Sequence, residues 1–524
     1  MRLHIAIAAM ALAAAGPAWG QPRIVALSEA DEAAYRAAFA EAERGDLAGV
    51  RARLRHVEDD VLVGVALGAA HLSASRRTYS QAVAWLDHYG DLAIAQDVYA
   101  RAQDVRPRRA RRPAAPEPLR RRPFPGTAPP PPSDSAAARA DIAAIQEGLS
   151  AGAYDAARAR AAGALSGPRT GEAAWLLGLM NVRAGDYAAA AAQFEAGAAW
   201  PHHPASARAA NFYWAARARL AAGDARRVIP HLEAAAQAPQ TFYGQLAEAQ
   251  LGRASALNFT TPPLEPGALR AFLERRPAAR RAAALAQLGR LSDVEEELRR
   301  LHGQLTPQED PIFLALAEAL AAPAAQLRAG EYGGPRLAAG LCPVTTFAPE
   351  GGFTLDRALL YGIVRQESYF NPVARSSSNA RGLMQLLPST ANDLDRDRGY
   401  RRNPAQLYDP AENMRLGQRY VQWLIDQFHR DGDLGRVFAA YNGGPGWLQR
   451  WIQERGEIAD PLYLLETLPR AESRDYAERV LSHMSICRRR FGQPTPELDA
   501  LASGRPARYQ ALDNRSNALS AAQP

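Results

Sequence analysis

A carboxylate works as a general acid near neutral pH only where its surroundings resist its negative charge. Glu367, inside GIVRQESYFNP at residues 362–372, has neighbours of that kind. Leu355, Leu359, Ile363 and Phe370 recur near helical spacing, Thr354 can cap the start of the helix, and Pro372 limits its end. Glu367 then lies in the last turn, where the helix dipole is negative and disfavours an anion. Burial against Tyr369 or Phe370 adds to this, and both effects raise the pKa as proton donation at neutral pH requires. Taken alone, the residue also reads as a solvated Glu on an amphipathic helix, the usual place for one.

Two further stretches carry groups that suit a sugar, which is polar at its edge and apolar on its ring faces. SSSNARGLMQLLPSTA, residues 376–391, is a Ser- and Asn-rich loop entering a second helix, with the amide of Gln385 set among apolar side chains. VFAAYNGGPG ends a third helix with Tyr441 and Asn442 just before the glycines, where a phenol can project into a cleft.

Taken in order, RQESYFNP, ARGLMQLLPSTA, NPAQLYDPAENMRLGQRYV, AAYNGGPG and ESRDYAERV run from residue 365 to residue 480. They resemble the soluble lytic murein transglycosylases, whose catalytic domain looks like goose-type lysozyme. TFYGQLA, residues 241–247, is similar to these proteins as well, so the resemblance extends into the helical region before the last block. It implies a peptidoglycan-cleaving enzyme that breaks the β-1,4 bond between N-acetylmuramic acid and N-acetylglucosamine. The muramyl C6 hydroxyl attacks C1 of its own ring, giving a 1,6-anhydro sugar.

Carried over position by position, the resemblance makes Glu367 the sole catalytic acid and base. Ser376, Gln385, Tyr420, Tyr441, Asn442 and Glu472 fall on substrate-binding positions of the cleft. Glu472 is equally readable as the ion-pair partner of a nearby Arg. Leu387 stands where some members have Met, Gly443 where Ala is usual, and Asn379 where Gly is common, a position at which Asn tolerates a left-handed backbone. Neither a cofactor nor a metal is implied. Glycan strands are the expected partner, with other cell-wall enzymes beside them. Two rival functions remain open: a hydrolytic muramidase of the same fold, with a second carboxylate such as Asp393, Asp395 or Glu472, and a non-enzymatic helical-repeat scaffold.

The elements that must position these residues are helical throughout. The fold expected is all-α, a superhelix of TPR-like hairpins followed by a lysozyme-like α-helical catalytic domain. Turns at Gly152, Gly185 and Gly223, with an earlier one at Gly45, recur at a period suited to helix-turn-helix repeats, and Trp175, Leu177 and Gly178 stand where such a unit packs. The expected divisions are a signal peptide at 1–20, an N-terminal helical region at 21–105, an Arg/Pro-rich linker at 106–134, the repeat domain at 135–335, the catalytic domain at 336–495, and a disordered tail at 496–524.

The signal is read from Arg2, the apolar run from Ile5 to Ala15, and the small residues Ala18 and Gly20 before Gln21. That run is too short to span a membrane as a helix. A periplasmic location with no transmembrane segment follows, in a compartment where Cys342 and Cys487 can pair, although two free buried thiols fit the sequence as well.

The net charge of +7 on 524 residues does not indicate nucleic-acid binding. Between Arg106 and Arg122 eight Arg and one Glu account for all of it, so the rest of the chain is neutral. Trp423, Trp447 and Trp451 accordingly read as core or cleft wall rather than as a base-stacking platform. DLDRDRG at residues 393–399 imitates a calcium loop, but its glycine is one place late and Pro404 occupies the twelfth position. His202 and His203, adjacent and before Pro204, are poor ligand geometry.

Overall fold

The computed structural model describes residues 24–74, 79–125, 127–131, 134–428, 433–456 and 458–513. The signal peptide expected at 1–20 lies outside the described residues. Every named element among them is a helix, and β-pairing is confined to isolated bridges such as Arg375 with Arg381 and Arg381 with Leu386. No described helix is long and apolar enough to cross a membrane.

The chain folds into two units whose limits differ from the expected boundaries. One contains the N-terminal helices from Glu29–Glu43 to Ala95–Asp104 together with the later helices from Pro266–Arg275 to Pro323–Gly333. Gln287, from the later set, accepts the backbone N–H groups of Ala26 and Leu27 and donates to Leu27 O. The Arg/Pro-rich stretch, irregular in backbone, is held against the later helices up to Pro123. Arg122 pairs with Asp310 through both guanidinium nitrogens, Arg300 holds Glu117 O at 3.0 Å, and Tyr332 donates to Arg122 O at 3.2 Å. The hold comes from guanidinium and backbone contacts, which leave no apolar period in the sequence.

The other unit joins the repeats, residues 124–259, to 334–342 and to the last block from 347 onward. Its helices are α1 (Ala136–Ala151), α2 (Tyr154–Ala164), α3 (Thr170–Ala184), α4 (Tyr187–Ala199), α5 (Ala205–Ala221), α6 (Val228–Ala236) and α7 (Phe242–Gln250). In the block follow α8 (Arg357–Ser368), α9 (Pro388–Leu394), α10 (Pro410–Gln427), α11 (Leu434–Gly443), α12 (Pro445–Arg455), α13 (Pro461–Glu466), α14 (Ala471–Arg490) and α15 (Pro496–Ala502). Gly152 and Gly185 end α1 and α3 with left-handed backbone, so each chain reversal is made by the residue best suited to it. Trp175 packs at 5.4 Å from Phe194 and 6.3 Å from Trp214, joining three successive helices.

TFYGQLA is α7 with its cap, and it faces the block. Thr241 Oγ1 accepts Gly244 N–H, Tyr243 donates to Glu466 on α13, and Gln245 Nε2 donates to Ser482 on α14 at 2.8 Å. These contacts are why the last repeats share a unit with the catalytic block.

Cys342 and Cys487 form a disulfide across a sequence separation of 145, fixing the segment before the block to α14. The tail expected to be disordered from 496 is folded as far as Asp513. Arg488, fully buried, pairs with Glu497 on α15 at 2.7 Å and with Asp356 at 3.0 Å, while Leu498 and Leu501 are buried. Residues 514–524 lie outside the described residues.

Candidate active site

Helix α8 carries Glu367 in its last turn. Its N-cap is Asp356, not Thr354. The Asp356 carboxylate, instead of closing its own helix, accepts Arg488 and the backbone N–H groups of Leu512 and Asp513. Ala358, Leu359, Leu360, Ile363 and Val364 bury the helix in the core. Gly362 sits where an added Cβ would come within 3.0 Å of Met484 N, so α8 crosses α14 at close range. The helix ends before Pro372 has any say, because Tyr369 and Phe370 both adopt left-handed backbone, at φ 55° and 60°. Two such residues in succession are strained. Burial of the Phe370 ring, 5.7 Å from Tyr361, holds them in place.

The crossing sets Tyr476, on α14, against the carboxylate: its hydroxyl donates to Glu367 Oε1 at 2.7 Å. Glu367 is half-buried. Its pKa is raised to about 7, first by burial and then by the negative charge of Glu472, with the Tyr476 hydrogen bond pulling the other way. The raised value expected from sequence is therefore present, with desolvation as its main cause.

The remaining sequence-predicted residues divide by what they touch. Tyr441 donates to Met384 O at 2.7 Å, tying α11 to the loop, and its ring lies parallel to Tyr476 at 6.0 Å. It does not orient Glu367; Tyr476 does. Tyr420 on α10 packs 5.3 Å from Tyr441 and against the cluster of Leu386, Ala391, Tyr400, Leu407 and Leu416. Gln385, at φ 45°, spends its amide nitrogen on Ala374 O and Gly382 O, so Oε1 is what it can offer a ligand. Ser376 closes the preceding turn by accepting Ala380 N–H, and Asn379 takes the left-handed backbone expected of it, at φ 69°.

Asn442 accepts the Ser473 hydroxyl at 2.7 Å, joining α11 to α14. Beside it, a Cβ on Gly443 would lie 2.7 Å from Ser473 Oγ, which accounts for glycine here. Glu472 is exposed in the first turn of α14. Of the arginines next to it in sequence, Arg470 holds Gly443 O and covers the Trp447 ring, and Arg474 lies by Glu466. Asp395 is engaged by Arg415 at 2.7 Å, and Asp393 lies 3.6 Å from Arg401. A cavity of about 970 Å³ in the other unit, walled by Val61, Leu92 and Leu269, contains none of these groups.

Tyr476 is the residue that sequence reading missed. It lies within ESRDYAERV, four residues after Glu472 and hence on the same helix face, a spacing that could have singled it out.

The helical hairpins and the block that carries Glu367 belong to one unit, and the comparisons concern that block above all. Residues 346–463 match the Transglycosylase SLT domain. The chain is 33% identical over 159 residues to the soluble lytic murein transglycosylase of Escherichia coli K12, covering 29% of this chain and 24% of that protein. It is 36% identical over 118 residues to the membrane-bound lytic murein transglycosylase C of Histophilus somni strain 2336, covering 21% of this chain and 32% of the relative. The matched region thus spans about a quarter to a third of these relatives' length.

The fold likeness is wider. A structure of the lytic transglycosylase Slt from Pseudomonas aeruginosa covers 89% of this chain and 72% of its own at TM-score 0.54 and 21% identity. The 70 kDa soluble lytic transglycosylase of Escherichia coli covers 91% and 75% at TM-score 0.51 and 18% identity.

Proposed function

We propose that the protein is a peptidoglycan lytic transglycosylase acting in cell-wall turnover or remodelling. It cleaves the β-1,4 bond between N-acetylmuramic acid and N-acetylglucosamine and forms 1,6-anhydromuramic acid. The observation that carries this reading is Glu367 itself: a half-buried carboxyl bonded to a phenol instead of a cation, with its pKa raised to about 7. Such a group holds its proton near neutrality and can both give it up and recover it.

In the first step Glu367 protonates the glycosidic oxygen as the bond to muramyl C1 breaks and N-acetylglucosamine leaves. The carboxylate so formed is stabilised by the Tyr476 hydroxyl. In the second step the muramyl C6 oxygen attacks C1, and Glu367 takes the hydroxyl proton, which restores the starting acid. No water is consumed. A tethered nucleophile needs little entropy to reach the reacting carbon, so a second carboxylate is not required. Asp393 and Asp395 stand in ion pairs and Glu472 is exposed, which weakens the muramidase reading. Tyr441, Tyr420 and Gln385 Oε1 line the sugar's path, while Ser376 and Asn442 hold the walls. The leader read at 1–20 supports a periplasmic site of action, where glycan strands are the partner and other cell-wall enzymes would act on the same strands.

Digestion of purified peptidoglycan with the mature protein tests this. Fragments lighter by one water than the hydrolytic ones are expected, and they should vanish with Glu367→Gln. Reducing-end fragments would support the muramidase, and no fragments from folded protein would support the scaffold.

A further inference from the structure

We infer that Trp423 is a sugar-stacking platform at the outer end of the cleft, one aromatic step beyond Tyr420, and that it makes cleavage favour longer glycan strands. This rests on the reading above, since the ligand is the same polymer.

Four rings follow one another in successive contact, starting from Glu367. Tyr476 contacts the carboxylate, Tyr441 lies 6.0 Å from Tyr476, Tyr420 lies 5.3 Å from Tyr441, and Trp423 lies 5.9 Å from Tyr420. In this order the rings pass from buried, through half-buried, to exposed. Trp423 is 41% exposed, and its plane is within 12° of Tyr420. The two residues are three apart on α10, hence on one helix face and displaced by ~4.5 Å along the axis, close to the advance of one pyranose in a β-1,4 chain. Leu387, which follows the Leu386 of the cluster under Tyr420, is also exposed, at 39%.

The other two tryptophans of the block differ. Trp451 is buried with its indole donating to Ser150 O, and Trp447 lies under the Arg470 guanidinium at 4.4 Å. An exposed indole parallel to its neighbour contributes little to the core, whereas a flat apolar face suits the C–H face of a sugar.

The test compares kcat/KM on long peptide-free glycan strands with kcat/KM on a tetrasaccharide of the same polymer, for the wild type, Trp423→Ala and Trp423→Phe. The ratio of long to short should fall about tenfold in Trp423→Ala, the size of a lost ring-stacking contact, and be largely kept in Trp423→Phe. Circular dichroism checks that each variant is folded. An unchanged ratio in Trp423→Ala, whether activity is intact or uniformly reduced, overturns the platform and leaves the enzymatic reading standing. A wild type that cleaves neither substrate overturns that reading and the platform with it.

Discussion

Two tyrosine–glutamate hydrogen bonds in this unit have opposite purposes, one on α14 and one between α7 and α13. At the cleft, Tyr476 donates to a half-buried Glu367 with no cation at hand. In the interior of the same unit, Tyr243 donates to Glu466, itself only 2% exposed, while Trp214 Nε1 donates to the Tyr243 oxygen at 3.0 Å. There Glu466 is bonded to a second carboxyl, Glu478, both are pushed up by burial, and Arg474 lies 3.9 Å from Glu466. Both sites raise a carboxyl pKa by desolvation, so a raised pKa does not by itself mark catalysis. What separates them is access. Glu466, only 2% exposed, belongs to a network that fastens the repeats to the block, whereas Glu367 is half-buried and, on the proposed function, exchanges its proton with a substrate.

If this distinction holds, the two sites respond differently to substitution. Glu367→Gln should lower kcat about 10³-fold or more, the loss of a general acid–base, measured as product release from peptidoglycan. The fold should gain. Because the folded pKa of about 7 exceeds the ordinary 4.5, the contribution of this group to stability is complete below 4.5 and is lost as pH climbs through 7. Denaturant titration at pH 8 should find the Gln variant more stable by about 2 kcal/mol, the linkage value discounted for the open side of the site. Tyr243→Phe should do the reverse, costing about 2 kcal/mol in the same titration by leaving a buried carboxyl and an indole N–H short of a partner, with turnover per folded molecule nearly kept.

Tyr476→Phe falls between them, with an expected drop in kcat of about tenfold. Since its hydrogen bond lowers the Glu367 pKa, removing it should move the alkaline limb of the rate profile upward. Glu472→Gln should give the smallest effect and the opposite sign. Taking away a negative neighbour lowers the Glu367 pKa and moves the same limb slightly downward, less so at high salt because Glu472 is exposed.

Much of this was legible in the sequence because it is local. The helix bearing Glu367 is marked by its apolar spacing, the turn at Asn379 by a residue that accepts left-handed backbone, and the hairpin ends by Gly152 and Gly185. What was missed depends on which surfaces meet. Tyr476 reaches Glu367 only through the crossing of α8 and α14. Ala-rich helices from 260 to 333 do not announce that they pack with the N-terminal helices, nor do the repeats announce that α7 docks on the last block. The Arg/Pro stretch and the tail are held by arginine contacts, among them Arg122 and the fully buried Arg488, which leave no periodic trace. The two cysteines are paired, a fact that spacing alone left open.

The central claim is that one carboxyl acts on a sugar that supplies its own nucleophile. Digestion of peptidoglycan in water enriched in heavy oxygen, followed by weighing of the new glycan ends, tests it most directly. Ends lighter by one water and free of the heavy isotope are predicted; ends that carry one heavy oxygen at muramyl C1 would show that water attacks, and would contradict the account.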